Sequence, residues 1–337
     1  MPIPEALQEY AMKLGFPNSE NLARIFEIIF DGEHDIKLVQ AMPGTAEELA
    51  EKTGLPVDQV RDRVQQLKCR GAIGSPMHKP DVYRPFPAAI ELRDTTVMWE
   101  EAPQALFERW ESLITQEFKQ LVPLLKGLKI PAMIRVLPIE ETIEVKNTVL
   151  DIDTARNIFK DAELITAVPC PCRKQARKNG RGQNCPAPET AVCMQTNAFA
   201  QAILDRGVGE TLSNAEALKR VRDAEEAGLV HMVRNNVQKD MFMCNCCPCC
   251  CTGLYLINEV GFSDGIAPSR FRVKFKEDLC TACGLCVERC SFNAITVNGI
   301  AAINADRCYG CGNCVISCPE EALTLEEIRP REHIRVK

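Results

Sequence analysis

A chain of 337 residues, 46% hydrophobic and carrying a formal charge of -6, is long enough for two or three domains with buried cores, and it is not a disordered chain. The acidic balance speaks against a general nucleic-acid or anionic-membrane surface and leaves room only for local basic patches. Nineteen cysteines is several times ordinary usage, and all but Cys69 lie from Cys170 to Cys318. The first residues show no basic start followed by an apolar run, and no segment reaches the roughly 18 apolar residues of a membrane span. A cytoplasmic location is expected. Thiols do not rest there as structural disulfides, and an odd number cannot all pair within one chain. Zinc, iron-sulfur clusters and reactive thiols are the remaining reasons to collect so many.

In chain order, "NLARIFEIIF" sets Leu22, Ile25, Phe26 and Ile29 on one helical stripe. "TAEELAEKTG" carries a capping box, Thr45 with Glu48, and stops at Gly54. "PVDQVRDRVQQLKCRG" predicts a third helix with Val57, Val60, Val64 and Leu67 on its buried face, and with Cys69 near its end as a small core residue. "AIGSPMHKPDVYRPFPAAIEL" suits a hairpin wing. This order resembles a winged helix-turn-helix domain over residues 1–95. Those residues hold 11 Lys and Arg against 15 Asp and Glu, which argues against DNA as the partner. Arg61, Arg63, Lys68 and Arg70 leave a small local excess on the third helix, so a redox-sensing winged-helix transcription regulator stays as one alternative. Residues 96–130 read as an amphipathic helix broken near Pro123, with Trp99, Leu106, Phe107, Trp110, Leu113 and Ile114 recurring at three and four. They are expected to bridge to the cysteine-rich half or to a second copy of the chain.

Residues 131–265 are expected to form a central α/β cysteine-rich domain. "ELITAVPCPCR" is a strand-like run delivering Cys170 and Cys172, which face one side if the chain stays extended. Cys185 lies in a Gly/Asn/Pro loop, and "AVCMQTNAFAQAILDRG" puts Cys193 near the start of an expected helix. "SNAEALKRVRDAEEAG" has a capping box of Ser213 and Glu216 and a stop at Gly228. "LVHMVRNN" is an expected strand, with His231 read as a structural residue. It leads to "MCNCCPCCC", where Cys244, Cys246, Cys247, Cys249, Cys250 and Cys251 crowd nine positions. Adjacent cysteines point different ways, so this run is expected to serve more than one centre. Arg173, Lys174, Arg177, Lys178 and Arg181 follow Cys172 with no acidic residue before Glu189, a basic run suited to raising the potential of a nearby anionic centre or to a solvated helix face.

The last third repeats one pattern. "CTACGLCVERC" and "CYGCGNCVISC" are both C-x2-C-x2-C-x3-C, each followed by an apolar strand. Three cysteines on a tight loop reach three irons of a cube, and the fourth iron needs a ligand from elsewhere. Residues 271–327 resemble the bacterial-type ferredoxin with two 4Fe-4S clusters. That resemblance assigns Cys280, Cys283, Cys286 and Cys318 to one cube and Cys308, Cys311, Cys314 and Cys290 to the other. Ser291 stands where the second run has Pro319, a departure touching loop rigidity and not ligation. The combination of "PCPCR", "AEEAGLVH" and "CNCCPCCC" ahead of such a module is similar to a group of anaerobic iron-sulfur proteins to which no single reaction is attached.

The expected fold is therefore α+β and multidomain: a winged-helix-like N-terminal domain (1–95), a helical bridge (96–130), a central α/β cysteine-rich domain (131–265) and a ferredoxin-like double-cubane domain (266–330). The expected cofactors are two 4Fe-4S clusters there and one or two further clusters on the central cysteines, with zinc as the alternative for the central set. No phosphate loop, dinucleotide fingerprint or flavin motif is present. The expected role is electron transfer, as a subunit of or dedicated donor or acceptor to a larger anaerobic oxidoreductase, with exchange at the central centre. A ferredoxin-linked reductase acting at the central cysteines is the other alternative.

Overall fold

The computed structural model describes residues 2–76, 79–128, 131–143, 154–185, 187, 192–237 and 241–335. Met77 and His78, in the middle of the expected wing, lie outside them. The chain divides into two compact units: Met1–Leu121 with Pro171–Arg181, and Val122–Cys170 with Gly182–Lys337.

The first unit is mainly helical. Ser19 caps the helix Glu20–Ile29 by accepting from the Leu22 N–H at 2.8 Å, and Leu22, Ile25, Phe26 and Ile29 are all buried as their spacing requires. Thr45 and Glu48 close the capping box of Ala46–Thr53, and Gly54 ends that helix at a φ of 71°. Val57–Cys69 follows after Pro56 and buries Val60, Val64 and Leu67. β1 (Ile73–Gly74) and β2 (Arg84–Pro85) pair antiparallel. Two helices, Ala89–Thr96 and Gln104–Ser112, add buried Leu92, Leu106, Phe107 and Trp110 to the same core. The Trp110 indole N–H satisfies itself on Thr96 Oγ1 at 3.0 Å.

Two expectations fail here. Pro123 does not break its helix but sits inside Phe118–Leu128; the irregularity is the π-turn Leu113–Glu117 just ahead of it. Cys69 is exposed at its helix end, its sulfur accepting from Gln65 Nε2 at 3.7 Å, and is not a core residue.

The second unit is organised by a seven-stranded sheet. Its strands in chain order are β3 (Ile134–Leu137), β4 (Ile165–Val168), β5 (Cys193–Thr196), β6 (Glu210–Leu212), β7 (Val230–Arg234), β8 (Phe242–Cys246) and β9 (Ile266–Ala267). Across the sheet they run β6-β4-β5-β8-β7-β3-β9, antiparallel except for the pair β3 and β9. Period-two alternation gives the sheet two different faces. Leu137, Ile165, Ala167, Met194, Val233 and Met243 line one, packed with Phe159, Ala217 and Val221 from flanking helices. Val136, Val230, Met232 and Cys246 line the other. Cys193 begins β5 and is not near a helix start as expected; the helix opens only at Asn197. Four more strands complete the unit: β10 (Phe271–Phe275) pairs with β13 (Leu323–Glu327), and β11 (Ile295–Val297) with β12 (Ala301–Ile303). Among the described residues no helix is long and apolar enough to cross a membrane.

Candidate metal centres

Each C-terminal cysteine run curls before a four-residue helix, Leu285–Glu288 in the first and Asn313–Ile316 in the second. Gly284 (φ 82°) and Gly312 (φ 93°) start these helices in the left-handed region that side chains avoid. Gly310 (φ 62°) has a second reason to be glycine, because a Cβ there would lie 2.1 Å from the Phe271 carbonyl oxygen.

The thiols fall into sets. Cys280, Cys283, Cys286 and Cys318 line one pocket together with Phe275, Gly284 and Leu323. Burial, then the charges of Cys283, Cys280 and Cys318, pushes the Cys286 thiol up. Burial likewise raises Cys314, with the charges of Cys311, Cys290, Cys308 and then Cys286 adding to it, and raises Cys311 to about 12, with the charges of Cys290 and Cys308 adding to it. The fourth cysteine of each run therefore stands with the first three of the other. An all-thiol donor set of four with glycine-permitted backbone around it fits an iron-sulfur cube. The Ala294 N–H donates to Cys290 Sγ at 3.2 Å, the kind of contact that tunes a thiolate ligand.

The central cysteines divide differently from their order in sequence. Cys185, Cys247, Cys249 and Cys250 have all four sulfurs within 4.8 Å of one another. Cys246 instead turns back, its thiol raised first by hydrogen bonding to Cys244, then to Cys251 and then by burial. Cys193 lies directly across the ladder from Cys244, so Cys193, Cys244 and Cys246 share one face of the sheet. Cys170 is buried two residues beyond Val168, whose ladder partner is Cys193.

Cys170 and Cys172 do not share an extended segment. Pro171 starts the helix Pro171–Lys178, and the two cysteines fall into different units. Within the first unit, Arg93 Nη2 lies 3.2 Å from Cys172 Sγ while Arg93 Nη1 donates to Gln175 Oε1 at 3.2 Å. Nothing in "ELRDTT" marked Arg93 as a neighbour of a cysteine; it is 79 residues away in sequence and only packing brings it there. The basic run is only partly a solvated face, with Lys178 exposed and the rest drawn into the first unit. Arg173 is buried, Lys174 donates to the Trp99 carbonyl at 3.0 Å, and Arg181 pairs with Glu111 at 2.8 Å. His231 is a satisfied core residue, with Nδ1 2.6 Å from Asn245 Oδ1 and Nε2 3.2 Å from Glu225 Oε1.

The two C-terminal sets have the make-up of an iron-sulfur module for two cubes. A family model described as a 4Fe-4S dicluster domain matches residues 279–322, which places an iron-sulfur electron-transfer domain there. No curated protein and no solved structure matches the chain. The central cysteine-rich region lies outside that match.

Proposed function

We propose that the chain is an electron-transfer component of a larger oxidoreductase system, carrying a third thiol-held iron-sulfur centre beside its dicluster module. One observation carries this reading: Cys246 and Cys251 belong to the same packed apolar core as Cys286, Cys308 and Cys314, together with Val230, Met232 and Leu254. The cubes, when bound, supply one-electron exchange and no bond chemistry. The protein's own residues order the centres. Cys283 is exposed and is flanked by exposed Leu279, Leu285 and Val287 (40%, 42% and 38%), whereas Cys308 and Cys314 of the other set are buried. Asn313 Nδ2, beside Cys314, donates to the Gly228 carbonyl at 3.2 Å, and Ile139 N–H donates to the Cys311 carbonyl at 3.0 Å, which ties the inner set to the central sheet. Cys193, Cys244, Cys246 and Cys251 are the ligands of the third centre, with Cys170 beside them.

The partner is a redox protein with an apolar docking face, met at the leucines around Cys283. Residues 1–95 serve as a winged-helix-like scaffold. At the helix Val57–Cys69 and its cap, Arg63 and Arg70 are held by the buried Asp35 at 2.9 and 3.5 Å, and Arg61 pairs at the surface with Glu47 and Asp58, so most of the local positive charge is already matched by carboxylates and offers little to DNA phosphates. A reductase acting through the central thiols needs thiolates near neutrality. Burial pushes Cys249 up to about 12, and hydrogen bonding to neighbouring cysteines raises Cys246 and Cys250, the opposite of the lowered thiol such a reductase needs.

The docking reading is tested by stopped-flow reduction of the full-length protein by a small reduced ferredoxin. Leu279→Glu and Leu285→Glu are expected to slow the second-order step about tenfold or more at unchanged iron content. Rates equal to the unsubstituted protein would remove that face as the point of exchange.

A further inference from the structure

We propose that Cys185, Cys247, Cys249 and Cys250 hold a single tetrahedral metal ion, zinc or one iron, and not a cube. Their spacing is the argument. Cys185 and Cys247 sulfurs are 3.3 Å apart, Cys249 and Cys250 sulfurs 3.8 Å apart, and no pair in the set exceeds 4.8 Å. Four thiolates bonded to one zinc at about 2.3 Å form a tetrahedron with edges of about 3.8 Å. A cube seats each thiolate on a different iron, so its own body keeps the sulfurs apart.

The same chain supplies the comparison. The eight dicluster cysteines make no thiol–thiol hydrogen bond among the described residues; the hydrogen bond to a sulfur there is the Ala294 N–H on Cys290. Within the two dicluster sets the sulfurs do not bond one another. At Cys185 they close in.

The backbone is built for that closure. After β8 ends at Cys246, the chain turns tightly, with the Cys251 N–H bonding the Cys247 carbonyl at 3.0 Å and the Cys250 N–H reaching it at 3.4 Å. The turn separates Cys247, Cys249 and Cys250 from Cys246 and Cys251, which belong to the other central set. The fourth ligand arrives from a second tight turn, in which the Cys185 N–H bonds the Gly182 carbonyl at 3.1 Å. Four protein thiolates leave no open coordination position, so the ion is a structural staple joining the 182–185 turn to the end of β8, 62 residues away in sequence. All-sulfur tetrahedral donors select zinc or iron over harder ions.

This assignment is independent of the relay, since the dicluster and the third centre stand whether or not the staple does. The test uses full-length protein purified without oxygen, with zinc, iron and acid-labile sulfide measured per chain in the unsubstituted protein and in Cys249→Ser and Cys185→Ser. Cys249 is exposed, so its substitution spares the core; the dicluster EPR signal reports that the fold survives. The expected result is loss of one metal ion per chain with sulfide unchanged. Zinc K-edge absorption with four sulfurs at about 2.3 Å, or one iron without matching sulfide, tells the two ions apart. Loss of several irons with an equal amount of sulfide, or no change in any metal, overturns the proposal.

Discussion

Cys318→Ala disables the cube built on the first cysteine run, not the one built on its own. The expected loss is about one to four irons per chain, according to whether the site keeps a three-iron remnant. The assignment is checked by a double-substitution cycle. If Cys318 and Cys283 serve one cube, the pair removes no more than that cube, about four irons, and leaves the other intact, whereas Cys318→Ala with Cys311→Ala takes iron from both cubes. The basis is that Cys318 lines the pocket of Cys280, Cys283 and Cys286, while the charge of Cys290 acts on Cys311 and Cys314. Additive loss from Cys318 with Cys283, and none from Cys318 with Cys311, would mean that each run keeps its own cube.

The second large effect is expected at Cys246. It is the hinge of the remaining central set, in contact with both Cys244 and Cys251 and buried in the core shared with the dicluster. Cys246→Ala should abolish the third centre outright, removing about four irons if that centre is a cube, while both dicluster signals persist. The measurement is low-temperature EPR of the dithionite-reduced protein beside iron and sulfide analysis. A spectrum and an iron content unchanged from the unsubstituted protein would show that Cys246 ligates nothing.

The C-terminal module is legible in sequence because its spacing is local. Two runs of eleven residues carry the loop, the glycines and the helix starts, and only the exchange of the fourth ligand needs the fold. Capping boxes at Thr45 and Ser213 were legible for the same reason. The central site was not, because its ligand sets depend on register. Cys193 sits in a sequence of helix formers, yet pairing with both β4 and β8 holds it in a strand, and that pairing alone sets it opposite Cys244. Cys172 illustrates the opposite case: Pro171 ends the extended run by starting a helix, and the thiol turns to Arg93. The division of "CNCCPCCC" between two sets follows from a turn whose hydrogen bonds no pattern of residue types displays.

The measurement closest to the central claim is the iron and acid-labile sulfide content of oxygen-free full-length protein, read together with its EPR spectrum. The account predicts about twelve irons in cubes with matching sulfide and a third paramagnetic centre beyond the dicluster pair. About eight irons with two centres would contradict it, leaving an electron-transfer module attached to a cysteine-rich domain that takes no part in the relay.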